Sequence, residues 1–589
     1  MPNIYIDGKK VEAKDGQTII EAAFQNGINI PHFCWHPELS VSGNCRMCLV
    51  EVGMPKKFAD GSIERDENGH FVVGYFPKLQ IACSTQISDN MHVKTVSENA
   101  VKAQESVSEF ILINHPLDCP ICDEAGQCKL QEYAFNHSRG ESRFEETKNH
   151  NVKRVSWGPN VIFDGERCIT CSRCIRFSNE VANQEVLTFA QRGDKVTIQL
   201  FEGTQLDNPY SMNVIDICPV GALTSKDFRF KSRVWDMSFN ESICNSCGKG
   251  CNIKVGVRNN EVLRIEPRPN HYVNNHWMCD YGRLNPIDKI NEKRVLSPMV
   301  KVNGKLSDTT WDNAISTAIE KLKKFKPSEV MFVGSAFATN EDNYLYSKFV
   351  KTVFKSHNLD SFVYINESFA DKKLRVSDKT PNSTGMKEIY GNTNTHGVEI
   401  SLLKEKIDHH NIKAIYIIDD NFASKTDFIP YLDKLELVIV HSSNHNAVTD
   451  RAHIVFALSN FAENEGTITN INKRVQHFAP ALTTKENLRF MGMKMSRLDK
   501  FGANNDRWTN HDTRDTKAIW SVIQKIANSF NANWSFSSVK DVFEDLTHHI
   551  ESFKGMTYNS LKEYQGLVLG KGTNPDKKVK NYESHYMKP

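Results

Sequence analysis

A chain of 589 residues exceeds one ordinary domain, and at roughly 150 residues per domain it should hold about four. It is 39% hydrophobic and 24% charged with a formal net charge of +2, the make-up of a soluble globular protein without the basic excess that nucleic-acid binding needs. The opening MPNIYIDGKKVEAKDG lacks an apolar run of signal-peptide length and no stretch of about 18 apolar residues occurs, so a cytoplasmic chain without a membrane span is expected.

Fifteen cysteines is an odd number, and many stand two residues apart, which argues for metal ligation over disulfides. All lie between Cys34 and Cys279, leaving the last 310 residues without one. A metal-bearing half is thus followed by a metal-free half.

In chain order, NIYIDGKKVEA predicts a strand, a turn at Asp7-Gly8 and a second strand, and QTIIEAAFQNG a short helix stopped by Asn26-Gly27. This is the order of a ferredoxin-like β-grasp domain, placed at residues 1–96. Cys34, Cys45, Cys48 and Cys83 follow C-x10-C-x2-C plus a distant cysteine, a stretched form of plant-type [2Fe-2S] spacing. Between Cys48 and Cys83 an insertion carries Asp60-Gly61 and Asn68-Gly69, both hairpin-turn pairs.

Residues 97–140 form a small α-rich segment. A helix through Ala100, Ala103, Val107, Phe110, Ile111 and Asn114 ends at Pro116 and presents His115. His115, Cys119, Cys122 and Cys128 follow H-x3-C-x2-C-x5-C. A histidine beside cysteines is commonly a bystander, but three cysteines need a fourth ligand for a four-iron cluster and His115 is the nearest candidate. A neutral imidazole in place of a thiolate favours reduction.

Residues 141–236 hold Cys168, Cys171 and Cys174 in ERCITCSRCIRF, and Cys218 before Pro219. These are the halves of a bacterial ferredoxin motif, and with no second run they imply one [4Fe-4S] cluster. Residues 237–293 hold Cys244, Cys247, Cys251 and Cys279, spaced C-x2-C-x3-C-x27-C. Four thiolates also suit structural zinc; Gly248 and Gly250, which let backbone N–H groups approach cluster sulfurs, favour [4Fe-4S]. Fifteen cysteines and His115 make four sets of four with none left over.

From residue 294 the pattern changes. TTWDNAISTAIEKLKKF puts Trp311, Ala314, Ile315, Ala318, Ile319, Leu322 and Phe325 on one helical face, with Asp308 or Thr309 as cap. EVMFVG, SFVYIN, AIYIID, LELVIV and HIVFALS read as buried strands, so 294–570 is expected to be an α/β domain with a parallel sheet. Residues 571–589, with Lys571, Lys577, Lys578 and Lys580, read as a basic flexible tail or a docking segment.

The ligand motifs of residues 1 to about 290 resemble the large iron-sulfur (75 kDa-type) subunits of respiratory NADH:quinone oxidoreductase, complex I, known in bacteria as the G subunits. The resemblance implies that electrons arrive from a neighbouring subunit carrying FMN and NADH. They would pass the [2Fe-2S] centre, the [4Fe-4S] at Cys168 and the His115 centre, and leave for a ferredoxin-like two-cluster subunit; other peripheral-arm subunits complete the set of partners. The Cys244 cluster would lie off that route. The chain would sit on the cytoplasmic side of the inner membrane, peripherally, held by the complex and relaying electrons without bond-making residues of its own.

The WDNA helix, GSAFATNEDNY at 334–344 and FAENEGTITNINKRVQ at 461–476 resemble the molybdopterin oxidoreductase superfamily. In complex I subunits this fold is a scaffold without the cofactor, so no molybdopterin is expected. The alternative is the catalytic subunit of an NAD-linked molybdenum formate dehydrogenase. An iron-only hydrogenase would need further C-terminal cysteines, and a zinc-stabilised interaction protein would be colourless.

Overall fold

In strand Asn3–Ile6, Ile4 and Ile6 are buried and Asn3 and Tyr5 partly exposed, the period-two pattern of a half-buried strand. The protein is described by a computed structural model covering residues 2–391, 400–419, 423, 427–487 and 514–571. It divides into two units between Trp235 and Asp236.

In the first unit, Asp7 (φ 47°) and Gly8 (φ 78°) both take the left-handed backbone that a tight hairpin needs, and lead into strand Lys9–Glu12. Helix Ile19–Gln25 opens with a capping box: the Thr18 hydroxyl accepts from the Glu21 N–H, and the Glu21 carboxylate accepts from the Thr18 N–H. The sheet runs Lys9–Glu12, Asn3–Ile6, His92–Lys94, Leu49–Pro55, Val73–Tyr75, with Asn3–Ile6 and His92–Lys94 parallel. Ile4, Ile20, Val50, Val52 and Val93 form its core, which also takes in Cys48 and Cys83. In the insertion, backbone bonds from Phe58 to Ser62 and from Asp66 to His70 close the turns at Gly61 and Gly69.

Helix Glu98–Ile113 differs from the expected stripe. Its buried residues are Ala100, Gln104 and Ser108, whereas Phe110 is 77% exposed. The helix lies against strand Leu49–Pro55. Beyond it, strands Val155–Ser156, Val161–Phe163 and Leu223–Ser225 form a three-stranded antiparallel sheet, and Leu187–Ala190 pairs with Thr197–Leu200.

The second unit begins with the antiparallel strands Ser238–Ile243, Asn252–Arg258 and Glu261–Pro267, followed by helix Asp280–Asn291. A seven-stranded sheet comes next, ordered Lys305–Asp308, Met299–Val302, Ile454–Ala457, Leu437–Ser442, Ala414–Ile418, Val330–Ser335, Leu359–Phe362. Its last five strands are parallel, and all but the edge strand are wholly buried, as the sequence predicts for strands covered on both faces. Helix Trp311–Leu322 buries Trp311, Ala314, Ile315, Ala318 and Leu322. Its cap is Thr310, whose hydroxyl accepts from the Asn313 N–H; Asp308 instead belongs to strand Lys305–Asp308, and Thr309 bonds the Asn313 side chain.

A buried carboxylate joins distant parts of this unit. Glu463 accepts from Arg294 at 2.5 and 2.9 Å, from Arg514 at 2.5 Å and from the Thr516 hydroxyl at 3.1 Å. Burial alone would raise its pKa, but the two guanidinium groups outweigh burial and hold it down to about 2. Among the described residues no helix is long and apolar enough to cross a membrane. Lys577, Lys578 and Lys580 of the expected tail lie outside the described residues.

Because the folded pKa of Glu463 lies below the ordinary value of about 4.3, its stabilisation is complete above that pH and is lost as pH falls towards 2. Glu463→Gln is expected to cost about 3–5 kcal/mol, by leaving two buried cations without their anion, and to flatten the acid limb of the stability curve. Denaturant titration between pH 7 and 2.5 measures both.

Candidate metal centres

The first set is built by strand pairing. Cys48 immediately precedes strand Leu49–Pro55, which pairs with Gln80–Ile81, and the Ala82 N–H donates to the Cys48 carbonyl at 3.0 Å, bringing in Cys83. The loop from Cys34 turns through left-handed Gly43 (φ 64°) and Arg46 (φ 59°) before Cys48. The thiols of Cys45 and Cys83 hydrogen-bond to the Cys34 sulfur and hold its pKa down to about 2, and the Cys83 thiol likewise lowers Cys48. Cys34, Cys48 and Cys83 are buried, and Cys45 is at the rim. Of the flanking histidines, His32 bonds the Ile30 carbonyl and His36 accepts from the Glu38 N–H.

His115, Cys119, Cys122 and Cys128 line one cavity of about 130 Å³ together with Pro116, Ala125 and Leu130. Cys119 opens a short turn, Cys119–Ile121, and Cys128 stands at the N-cap of helix Lys129–His137. Asp118, beside Cys119, is pinned by Lys153 at 2.8 Å and Arg167 at 2.9 Å. Burial, followed by the charges of Lys148 and Arg167, lowers the His115 pKa to about 4, so its ring is neutral at pH 7. Its Nδ1 is buried without a hydrogen-bond partner, an arrangement that leaves a lone pair or a proton unsatisfied unless a further group is present. Burial raises Cys122 and pushes Cys128 up to about 12.

Cys168, Cys171, Cys174 and Cys218 surround a smaller cavity of about 20 Å³, walled by Phe163, Ile198 and Leu223. The loop winds around it through Thr170 (φ 52°) and Ser172 (φ 63°), left-handed although neither is glycine, and the Thr170 N–H donates to the Cys168 sulfur at 3.4 Å. The next residues link two sets. The Pro219 carbonyl accepts from the Lys129 N–H at 3.1 Å and lies 3.9 Å from the Cys128 sulfur. At Gly221 a Cβ would stand 2.1 Å from the Cys122 sulfur, so only glycine fits.

The fourth set lies in the second unit. Cys244 and Cys251 stand at facing ends of a hairpin, the Cys244 N–H donating to the Cys251 carbonyl at 2.8 Å. Cys279 caps helix Asp280–Asn291, its sulfur accepting from the Gly282 N–H at 3.4 Å. Burial pushes Cys244 up to about 11 and Cys279 to about 12. Gly248 and Gly250 send their own N–H groups to the carbonyls of Asp378 and Cys247, and the amide between them, that of Lys249, approaches the Cys247 sulfur. The amides that approach sulfur are those of Ser246, Lys249, Val376 and Gly282. Gly248 is required by crowding, since a Cβ there would meet Ile471 at 2.5 Å.

A neutral imidazole and thiols in mainly apolar pockets form a soft donor set of the kind iron-sulfur clusters use. The buried thiols must give up protons on binding, so metal loading and proton release are coupled. Among the described residues no three His, Cys, Asp or Glu side chains converge tightly enough to hold a single metal ion. Sequence reasoning missed Arg167, Gly221 and Gly282, although Gly221 is visible as the third residue after Cys218 in CPVG.

Models of known families match along the chain in order. They are a 2Fe-2S iron-sulfur cluster binding domain (2–98), the NADH-ubiquinone oxidoreductase-G iron-sulfur binding region (104–143) and the ferredoxin-like domain of NADH-quinone oxidoreductase subunit 3 (158–224). A molybdopterin oxidoreductase Fe4S4 domain (237–286) and molybdopterin oxidoreductase (294–390 and 380–490) follow. The NADH-quinone oxidoreductase G subunit of Rickettsia bellii is 36% identical over 365 residues, 62% of this chain and 50% of that protein. Subunit 3 of the Thermus thermophilus enzyme is 38% identical over 61% of this chain and 47% of its own length. The NADH-ubiquinone oxidoreductase 75 kDa subunit of Reclinomonas americana is 40% identical over 56% and 44%. The chain spans about half the length of these curated relatives.

Fold and cysteine sets define an iron-sulfur protein in which ferredoxin-type [2Fe-2S] and [4Fe-4S] domains precede a molybdopterin-oxidoreductase-type α/β domain. Two of the domain models matched by its cysteine-bearing front are those of NADH-quinone oxidoreductase subunits, and over about 60% of its length the chain is similar to the G subunits of that enzyme.

Gly221→Ala is expected to force the Cys122 sulfur out of line and, with Cys122 a ligand of a four-iron cluster as the spacing predicts, to lower the iron held per chain by about four atoms. Iron analysis of the purified variant beside the parent reads this directly.

Proposed function

We propose that the chain is the electron-transfer subunit of an NADH:quinone oxidoreductase, holding one [2Fe-2S] and three [4Fe-4S] clusters and relaying electrons from an FMN-bearing subunit towards the subunits of the quinone site. The observation that carries this is the grouping of all fifteen cysteines with His115 into four quartets, leaving no cysteine for another role. Cys34, Cys45, Cys48 and Cys83 would hold the two-iron centre. His115 with Cys119, Cys122 and Cys128, Cys168 with Cys171, Cys174 and Cys218, and Cys244 with Cys247, Cys251 and Cys279 would hold the four-iron centres. Such clusters change charge by one electron with little ligand movement. The residues around them keep the sulfurs in place, exclude water and supply amide and guanidinium charge.

Continuity within the first unit supports an order of transfer. The third set touches the second through the Pro219 carbonyl beside Cys128, and Arg167, next to Cys168, reaches back to Asp118 beside Cys119. Partners would be the FMN and NADH subunit, a two-cluster ferredoxin-like subunit and other peripheral-arm subunits, with the chain held peripherally on the cytoplasmic face.

For the C-terminal half a scaffold role without molybdopterin is favoured. The polar residues of its first loop motif are spent within the protein: Asn340 donates to Thr467 and Thr469 of the second motif at 2.9 and 3.1 Å, Glu341 accepts from Thr467 and from Tyr558, and Asp342 accepts from the Trp520 N–H. The large cavity beside them, about 490 Å³, is lined by Asp288, Glu292, Asp342 and Asp419 as well as Lys289, Lys293 and Lys379. That balance fits a phosphate-bearing cofactor poorly.

Metal analysis and EPR of the reduced chain test the assignment. About 14 iron atoms per chain and no molybdenum are expected. Molybdenum near one per chain would mean a formate dehydrogenase, and zinc without iron would end the relay assignment. His115→Cys, which replaces a neutral ligand with an anionic one, is expected to retain a cluster at a lower potential. An unchanged EPR redox titration would remove His115 from the ligand set.

A further inference from the structure

Two loops that carry different cysteine sets are joined through one guanidinium. Arg176 closes the short helix Arg173–Arg176, which contains Cys174. Its Nη2 donates to the carbonyl of Cys34 at 2.5 Å and to that of Cys171 at 3.4 Å. Its Nη1 donates to the Ser40 carbonyl, and its Nε to the Ser172 hydroxyl at 3.1 Å. The contact is reinforced on both sides: Ser172 bonds Ser42 at 3.1 Å, Asn44 bonds the Thr170 carbonyl at 3.0 Å, and Arg173 reaches the carbonyls of Trp35 and Ile217. The charge of Arg176 bears on the sulfurs of both Cys34 and Cys171, and at Cys171 it adds to the stronger effect of Arg173.

We infer that Arg176 is the electron bridge between the two-iron centre of Cys34 and the four-iron centre of Cys171, and a cation shared by both that raises their potentials together. The inference rests on the cluster assignment proposed above. Each sulfur is three bonds from its own carbonyl carbon, so a single nitrogen and two hydrogen bonds join ligand to ligand. A hydrogen-bonded path carries electronic coupling better than a van der Waals gap. In the step it serves, one electron leaves the two-iron centre and one enters the four-iron centre, no bond is made or broken, and the guanidinium keeps all its protons, as its high basicity requires. A fixed positive charge shared by two anionic centres stabilises the reduced form of each.

Arg176→Met and Arg176→Lys in the full-length, cluster-loaded chain test this. Pulse radiolysis follows electron passage between the two centres, and EPR redox titration reads all four potentials. Arg176→Met is expected to lower the potentials of the two linked centres while leaving those of the His115 and Cys244 centres in place, and to slow the passage by about tenfold or more. Arg176→Lys keeps the charge and one donor, so it should hold both potentials near the parent values while still slowing transfer. An unchanged rate in Arg176→Met with both centres present would overturn the bridge. So would equal potential shifts at all four centres, or loss of either centre in both variants, which would make Arg176 a folding residue only. A parent chain without a two-iron EPR signal would instead overturn the cluster assignment itself.

Discussion

Holding a thiolate in apolar surroundings requires positive charge close by, and the cysteine-bearing part of this molecule is organised around that requirement. Burial drives most of the cysteine sulfurs towards the neutral thiol, to about 12 at Cys128 and Cys279. A metal bound in such a pocket would take the place of those protons. The surrounding chain supplies what the anionic sulfurs lack, as amides at Thr170, Ser246, Lys249 and Gly282 and as guanidinium groups at Arg167 and Arg176. Around His115, a neutral ring at pH 7, the local charge balance differs, and its cavity is wider than the one lined by Cys168 and Cys218.

The scaffolds under these pockets are of two kinds. In the first unit short elements are pinned by the loops they display: a pair of strands aligns Cys48 with Cys83, and a turn and a helix start flank the His115 cavity. The second unit rests on an extensive parallel sheet, and its buried polar residues answer one another across it. Glu463 with its two arginines, and Asn340 with Thr467 and Thr469, tie segments far apart in sequence without facing a ligand.

Much of this was legible in the chain itself. Metal-ligand spacing is a local property, so short intervals such as those of Cys119-Cys122 or Cys168-Cys171-Cys174 stand out without a structure. Central strands such as Ala414–Ile418 are apolar throughout because helices cover both faces. Local signals failed where a single residue or a direction mattered. Thr310 took the cap because helix boundaries move by a residue when several hydroxyls and carboxylates compete. Phe110 faces outward because the helix buries the opposite stripe, Ala100, Gln104 and Ser108, which apolar periodicity does not mark. Arg176 was invisible: its principal acceptor lies 142 positions away, and nothing in CSRCIRF marks it apart from any other arginine.

The stretch from Cys218 to Gly221 belongs to two neighbours at once. Cys218 lines one cavity, the Pro219 carbonyl reaches the Cys128 sulfur, and Gly221 backs onto Cys122. Four residues thus form a party wall. Crowding introduced anywhere in that partition is felt on both sides at once, so neither chamber can be reshaped without the other.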